Sequence, residues 1–184
     1  MILNLHGFAS TGNNSKYKAL KEAFPHENIV SPTLPIDPAE VIKVIDENIQ
    51  EKMIVVGSSL GGFYAYYTSV IYRKHCILVN PSLKPWRTLR DAVGMHERFE
   101  WKKEYIAKLE DLDDRIKRVG VVESRLNFYL SNDDEVLDHS SIKYDYPGAA
   151  TIKYFDDCGH RFLRFKEIIT DLRVLLDKVR DEKA

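Results

Sequence analysis

Met53-Ile54-Val55-Val56-Gly57-Ser58-Ser59-Leu60-Gly61-Gly62 passes from a short, β-branched apolar segment into Gly-x-Ser-x-Gly, and Phe63-Tyr64-Ala65-Tyr66-Tyr67 continues it as a largely apolar helical pattern. Strand, sharp turn and helix is the order that presents an exposed nucleophilic serine. A serine on such a turn is held in a strained backbone conformation, and bulky residues two positions to either side would collide across it, which explains the glycines at 57 and 61. The hydroxyl emerges at the end of the strand beside a helix N-terminus, whose dipole and free N–H groups favour a developing oxyanion. Ser58 in that role would need glycines where Val56 and Leu60 stand, so the frame selects Ser59, with Leu60 N–H as the first oxyanion donor.

Outward from this turn the chain alternates strands with helices. Apolar runs at Ile2 to Leu5, Asn28 to Ser31, Met53 to Val56, Cys76 to Val79, Leu126 to Leu130 and Thr151 to Phe155 have the length and side-chain content of buried parallel strands. Asp37-Pro38-Ala39-Glu40 reads as an N-cap, a proline at the first helical position and a glutamate reaching back, followed by Val41, Ile45 and Ile49 on one face. Phe165, Ile168, Ile169, Leu172, Leu175, Leu176 and Val179 repeat at offsets of three and four and predict a C-terminal amphipathic helix. Such alternation implies right-handed crossovers, an α/β fold with a mostly parallel sheet of about six strands, and ligands at the carboxyl ends of the strands. Leu83 to Arg118 breaks the pattern: it carries no convincing strand, is dense in mixed charge, and interleaves Trp86, Met95, Phe99, Trp101 and Tyr105. It reads as a helical insertion, either a helix pair packed on the sheet edge or a cap that shapes a pocket.

The partners of Ser59 are sought just after other strands. Leu5-His6-Gly7-Phe8-Ala9-Ser10 follows the first strand, and a His-Gly turn there can aim backbone N–H groups at the site, so Phe8 N–H is the second candidate donor. His6 reads more readily as a histidine bracing that loop than as a reacting group. Asp157-Cys158-Gly159-His160 follows the strand ending at Phe155, which puts His160 where a general base belongs. His139 comes only five residues after Asp134, directly behind an acidic cluster, and is expected in the following helix. That cluster, Asp133-Asp134-Glu135-Val136-Leu137-Asp138, must supply the orienting carboxylate. Asp138 is expected in a helix turned away, and Glu135 adjoins Val136, expected to begin that helix's inward face. Asp133 and Asp134 remain on the residues alone, Asp133 with the competing reading of a turn or capping residue.

Bulk properties narrow the classes. The chain has 184 residues, enough for one core without metal or disulfide staples, and its 27 Lys+Arg against 28 Asp+Glu offer no single-signed field to attract nucleic acid or an anionic membrane. The N-terminus lacks a basic leader and no apolar run approaches the roughly 18 residues of a membrane span, so a cytoplasmic address and no membrane partner are expected. Cys76 and Cys158, the two cysteines, lack metal-ligand spacing and are expected as reduced thiols; no metal is expected.

The segments Leu5-His6-Gly7-Phe8, Val56 to Tyr64, Val79-Asn80-Pro81, Asp134-Glu135-Val136-Leu137-Asp138 and Gly159-His160 together resemble the YqiA/YcfP family of small bacterial α/β-hydrolases, over nearly the whole chain. The resemblance implies a reduced α/β-hydrolase fold, carboxylester or thioester hydrolysis of a small-molecule substrate, and no metal or organic cofactor. It favours Asp134 as the acid, because Asp134 heads the matching segment while Asp133 falls where the family tends to place glycine. The segment Leu83 to Arg118 departs from the family pattern and leaves the substrate and the oligomeric state open. The expectation is thus a Ser59-His160-Asp134 triad working through an acyl-enzyme, against the alternative of a binding or regulatory module that keeps the fold without the chemistry.

Overall fold

A computed structural model describes residues 1–96 and 99–182. The strands are β1 (Ile2–Leu5), β2 (Ile29–Val30), β3 (Ile54–Ser59), β4 (His75–Pro81), β5 (Gly94–His96), β6 (Phe99–Trp101), β7 (Leu126–Ser131) and β8 (Thr151–Phe155). The helices are α1 (Ser15–Ala23), α2 (Pro38–Asn48), α3 (Leu60–Tyr72), α4 (Pro85–Thr88), α5 (Lys103–Val119), α6 (Ile142–Asp145) and α7 (Ile169–Asp181), the last preceded by a 3₁₀ turn at Phe165–Ile168. Six strands form one parallel sheet in the order β2-β1-β3-β4-β7-β8. All six apolar runs of the sequence are strands of this sheet. β3, β4 and β7 extend further than the apolar runs because the strands continue into polar residues at the site: Ser58 and Ser59, Asn80, and Ser131.

Side chains alternate between the two faces, as a pleated strand requires. Leu3, Leu5, Val55, Cys76 and Leu78 pack with α2, α3 and α5, while Ile2, Ile54, Val56, Ile77 and Val79 pack with α1 and α7. Both faces are covered, which is why these strands read as continuous apolar runs. Asp37 caps α2 by accepting from Ala39 N–H, with Pro38 at the first helical position, as the sequence indicates. Its other carboxylate oxygen takes Lys108 Nζ of α5 at 2.5 Å, fastening the inserted segment to the body of the sheet.

That insertion is not purely helical. Between α4 and α5 it carries an antiparallel pair, β5 with β6, in register Gly94 to Trp101, Met95 to Glu100 and His96 to Phe99. Three residues per strand are too few to show a period of two against the surrounding charge. Their aromatic rings explain the placement: the Phe8 ring meets His96, Phe99 and Trp101 edge to face at 5.1–5.4 Å between centroids. No helix among the described residues is long and apolar enough to cross a membrane.

Candidate active site

Ser59 ends β3 and adopts φ 54°, ψ −123°, a conformation costly for a residue with a side chain. The flanking glycines make the turn feasible: a Cβ on Gly57 would stand 2.2 Å from Gly61 O, and one on Gly61 would stand 2.1 Å from Leu5 O. The strand therefore meets helix α3 and the end of β1 at backbone contact, with Leu60 as the helix's first residue. Gly7, in the loop leaving β1, lies against the nucleophile, since a Cβ there would be 3.2 Å from Ser59 Cβ. This places Phe8 and Leu60, the two expected oxyanion donors, on the two segments that touch Ser59.

His160 follows β8 and brings the set together. Its Nε2 lies 3.0 Å from Ser59 Oγ, and its Nδ1 lies 3.0 and 2.9 Å from the two carboxylate oxygens of Asp134. With Nδ1–H donating to the carboxylate, Nε2 is left to accept from the serine hydroxyl. Asp134 leaves β7 with a fully buried side chain. Burial pushes its carboxyl up, but hydrogen bonds from His160, from Val136 and Leu137 N–H and from His139 outweigh this and hold it below its ordinary value. Ser59, His160 and Asp134 thus lie in one hydrogen-bonded line.

The neighbouring carboxylates have separate tasks. Asp133 accepts from Ser131 Oγ at 2.5 Å, Cys158 N–H at 3.1 Å and Gly159 N–H at 3.3 Å, so beyond turning the chain it grips the loop that carries His160. Glu135 accepts His160 N–H at 2.8 Å. The segment after Asp134 is not helical until α6, contrary to the expectation from sequence: Val136 is exposed and Asp138 caps the local turn through Ser140 N–H. His139, expected in that helix, is buried instead, with Nε2 2.9 Å from Asp134 Oδ2. The reason is the local sequence: Asp134 and Asp138 each bond backbone N–H groups two or three residues on, which competes with a helical turn.

Two further residues brace the site. His6 donates from Nδ1 to Gly7 O and accepts Leu34 N–H at Nε2, both at 2.8 Å, and burial lowers its pKa, so it holds the loop as a neutral imidazole. Asn80 is 1% exposed at the end of β4 with φ 41°. Its Nδ2 donates to Gly159 O and His160 O, and its Oδ1 accepts Ser131 N–H, joining the strand of the acid to the loop of the base. The sequence signals Asn80 only through Val79-Asn80-Pro81; nothing in its pattern marks a buried hub.

The profile of the Uncharacterised protein family (UPF0227) matches residues 1–176. A UPF0227 protein of Yersinia pseudotuberculosis is 29% identical over 171 residues, 88% of this chain and 91% of that one. A UPF0227 protein of Vibrio parahaemolyticus is 24% identical over 176 residues, 91% and 94% of the two chains. Among solved structures, Est1E from Butyrivibrio proteoclasticus superposes with a TM-score of 0.70 at 11% identity, covering 98% of this chain and 88% of that one. Alpha/beta hydrolase domain-containing protein 10 from mouse gives 0.64 at 15% identity, covering 97% and 90%. At these identities the likeness shows the α/β-hydrolase fold.

Proposed function

The chain belongs to the UPF0227 family, the YqiA/YcfP group, and we propose that it is a serine hydrolase cleaving carboxylic esters or thioesters of small acyl substrates. The observation that carries this is the continuous hydrogen-bonded line from Ser59 Oγ through the His160 ring to buried Asp134, with 3.0 Å at the first step and 2.9 Å at the last. In this reading His160 Nε2 takes the Ser59 proton as Oγ bonds to the substrate carbonyl carbon. Leu60 and Phe8 N–H hold the resulting oxyanion, at the positive end of α3. When the tetrahedral intermediate collapses, the bond to the leaving oxygen or sulfur breaks and His160 returns the proton to that atom. Water then attacks the acyl-Ser59, giving its proton to His160, and Ser59 recovers it as the acid departs. Asp134 stays ionised throughout and fixes the tautomer.

The acyl group has a place beside the donors. A cavity of about 490 Å³ is bordered by Phe8, Leu60, Tyr64, Phe99 and Trp101, and its apolar lining suits a hydrocarbon or aromatic acyl chain. The antiparallel β5–β6 pair supplies two of those rings, Phe99 and Trp101, which supports the cap reading of the insertion.

A fluorophosphonate probe tests the reading. It should label Ser59 in the wild type and nothing in Ser59→Ala, and Asp134→Asn should lose esterase activity by about 10⁴-fold with the fold intact while Asp133→Asn stays within about tenfold. No labelling of the folded wild type would defeat the proposal and favour a binding module.

A further inference from the structure

The loop from His6 to Ser10 borders two cavities, and they differ in charge. The apolar one described above contains neither Ser59 nor His160 among its lining residues. The other, about 400 Å³, is lined by both of these together with Ser10, Asn14, Lys16 and Arg161. Two of its lining residues are cations and none is a carboxylate. Arg161 is exposed and forms no ion pair among the described residues.

Lys16 is the unexpected member. It is 9% exposed, and it is the one lysine buried among the described residues. Its Nζ donates to Arg161 O at 2.9 Å and lies 5.9 Å from the centre of the Phe165 ring, with no carboxylate in ion-pair reach among the described residues. A backbone carbonyl does not neutralise an ammonium, and holding that charge out of water costs the folded state unless a counter-charge is supplied. Burial pulls its pKa down to about 8, which still leaves it largely protonated near neutrality. A methionine could cover the same apolar neighbours without that cost, so the fold alone does not account for a lysine here. Perturbed, under-paired charges of this kind concentrate at functional sites.

We propose that this cavity is an anion subsite, in which Lys16 and Arg161 hold a carboxylate or phosphate group carried on the leaving side of the substrate. The side follows from the serine-hydrolase reading, on which this inference rests: the general acid must reach the leaving atom, and His160 borders this cavity and not the apolar one. The substrate class is then an ester or thioester with an apolar acyl half and an anionic alcohol or thiol half.

The test compares two esters of one acyl group, a 4-nitrophenyl ester and its 3-carboxy-4-nitrophenyl counterpart, in the wild type, Lys16→Met and Arg161→Gln. The quantity read is the ratio of kcat/KM for the anionic ester to that for the neutral one, which cancels any general loss of activity. Loss of a charge-assisted contact predicts that Lys16→Met lowers the ratio by about tenfold or more and that exposed Arg161→Gln lowers it by about threefold. A ratio unchanged in both variants overturns the subsite. Thermal melting at pH 7 checks that Lys16→Met folds. If it does not, Arg161→Gln decides alone: a lowered ratio upholds the subsite and an unchanged one overturns it. If the wild type is neither labelled at Ser59 nor active, the hydrolase reading has failed, and titration of Ser59→Ala with phenyl phosphate decides the subsite alone. Binding that disappears in the Ser59→Ala, Lys16→Met double variant upholds it, and no Lys16-dependent binding overturns it.

Discussion

His139 Nε2 stands 2.9 Å from Asp134 Oδ2, so the carboxylate that orients His160 is gripped by a second, buried imidazole. Tyr154 Oη donates to His139 O and fixes that residue's backbone in turn. His139 is therefore a positioning residue, acting on the base only through the acid. His139→Phe keeps a ring in place and removes the donor, while His139→Gln keeps an N–H that can reach the carboxylate. Loss of a hydrogen bond to a buried charge predicts a fall of about tenfold or more in kcat for the Phe variant with KM little changed, and recovery to within about threefold of wild type in the Gln variant. Steady-state kinetics on a 4-nitrophenyl ester distinguishes this from a packing role, which would leave Gln no better than Phe.

Stability should decline on mild acidification. Burial lowers the pKa values of His6, His75 and His139 below 6.5, in each case against weaker opposing hydrogen bonds. Below pH 6.5 the unfolded chain takes up protons that these folded sites resist, so the unfolded state binds more protons and the folding free energy shrinks as pH falls. The full stability is present above 6.5 and is lost as the pH drops through 6.5 toward the folded values. Each group contributes a slope of at most about 1.4 kcal/mol per pH unit. Urea unfolding at pH 7.5, 6.5 and 5.5 should show a progressive loss, and the loss should be shallower in His139→Phe. A flat profile over that interval would contradict neutral, buried histidines.

The elements nearest the reacting atoms are the most legible in the sequence, because close backbone approach leaves a residue-level mark. Gly57 and Gly61 flank Ser59 for the clash a Cβ would cause, and that requirement is visible as spacing. The six sheet strands are legible through burial on both faces. What escapes is set by tertiary contact alone. The β5–β6 pair is held by Phe8, 88 positions or more away along the chain, and three residues per strand carry no periodicity. The turn after Asp134 resembles a helix start, since propensity cannot see that its carboxylates are already committed to local N–H groups. Asn80 and His139 act through partners contributed by β7, β8 and the loops that follow, which no local pattern encodes.

Asn80 predicts a joint loss of stability and rate. Its amide makes three hydrogen bonds inside the protein, two to the carbonyls of Gly159 and His160 and one from Ser131 N–H. Asn80→Ala leaves those groups unpaired and should cost about 2–3 kcal/mol in urea unfolding. Asn80→Asp is isosteric but turns the donor toward His160 O into a second acceptor, so it should be at least as damaging. If both variants melt and turn over as the wild type does, Asn80 does not hold the base in place.

The loop from β1 supplies the last prediction, which separates backbone from side chain. Gly7 is closely flanked: a Cβ would lie 3.2 Å from Ser59 Cβ and 3.3 Å from Ser58 O, tight enough that the neighbours would have to give by a few tenths of an ångström. Gly7→Val adds two methyl groups beyond that Cβ, against the nucleophile and the amide next to it. If Phe8 N–H is an oxyanion donor, displacing it should lower kcat by about 10²-fold or more. The Phe8 ring faces the other way in function: it packs on His96, Phe99 and Trp101 and borders the apolar cavity. Phe8→Leu keeps the amide and should retain most of kcat on a short acyl ester, while changing the preference among acyl chains of increasing length. Kinetics of the two variants on an acetyl-to-octanoyl series of 4-nitrophenyl esters reads both effects at once. Equal, mild losses across the series would remove this loop from the oxyanion site.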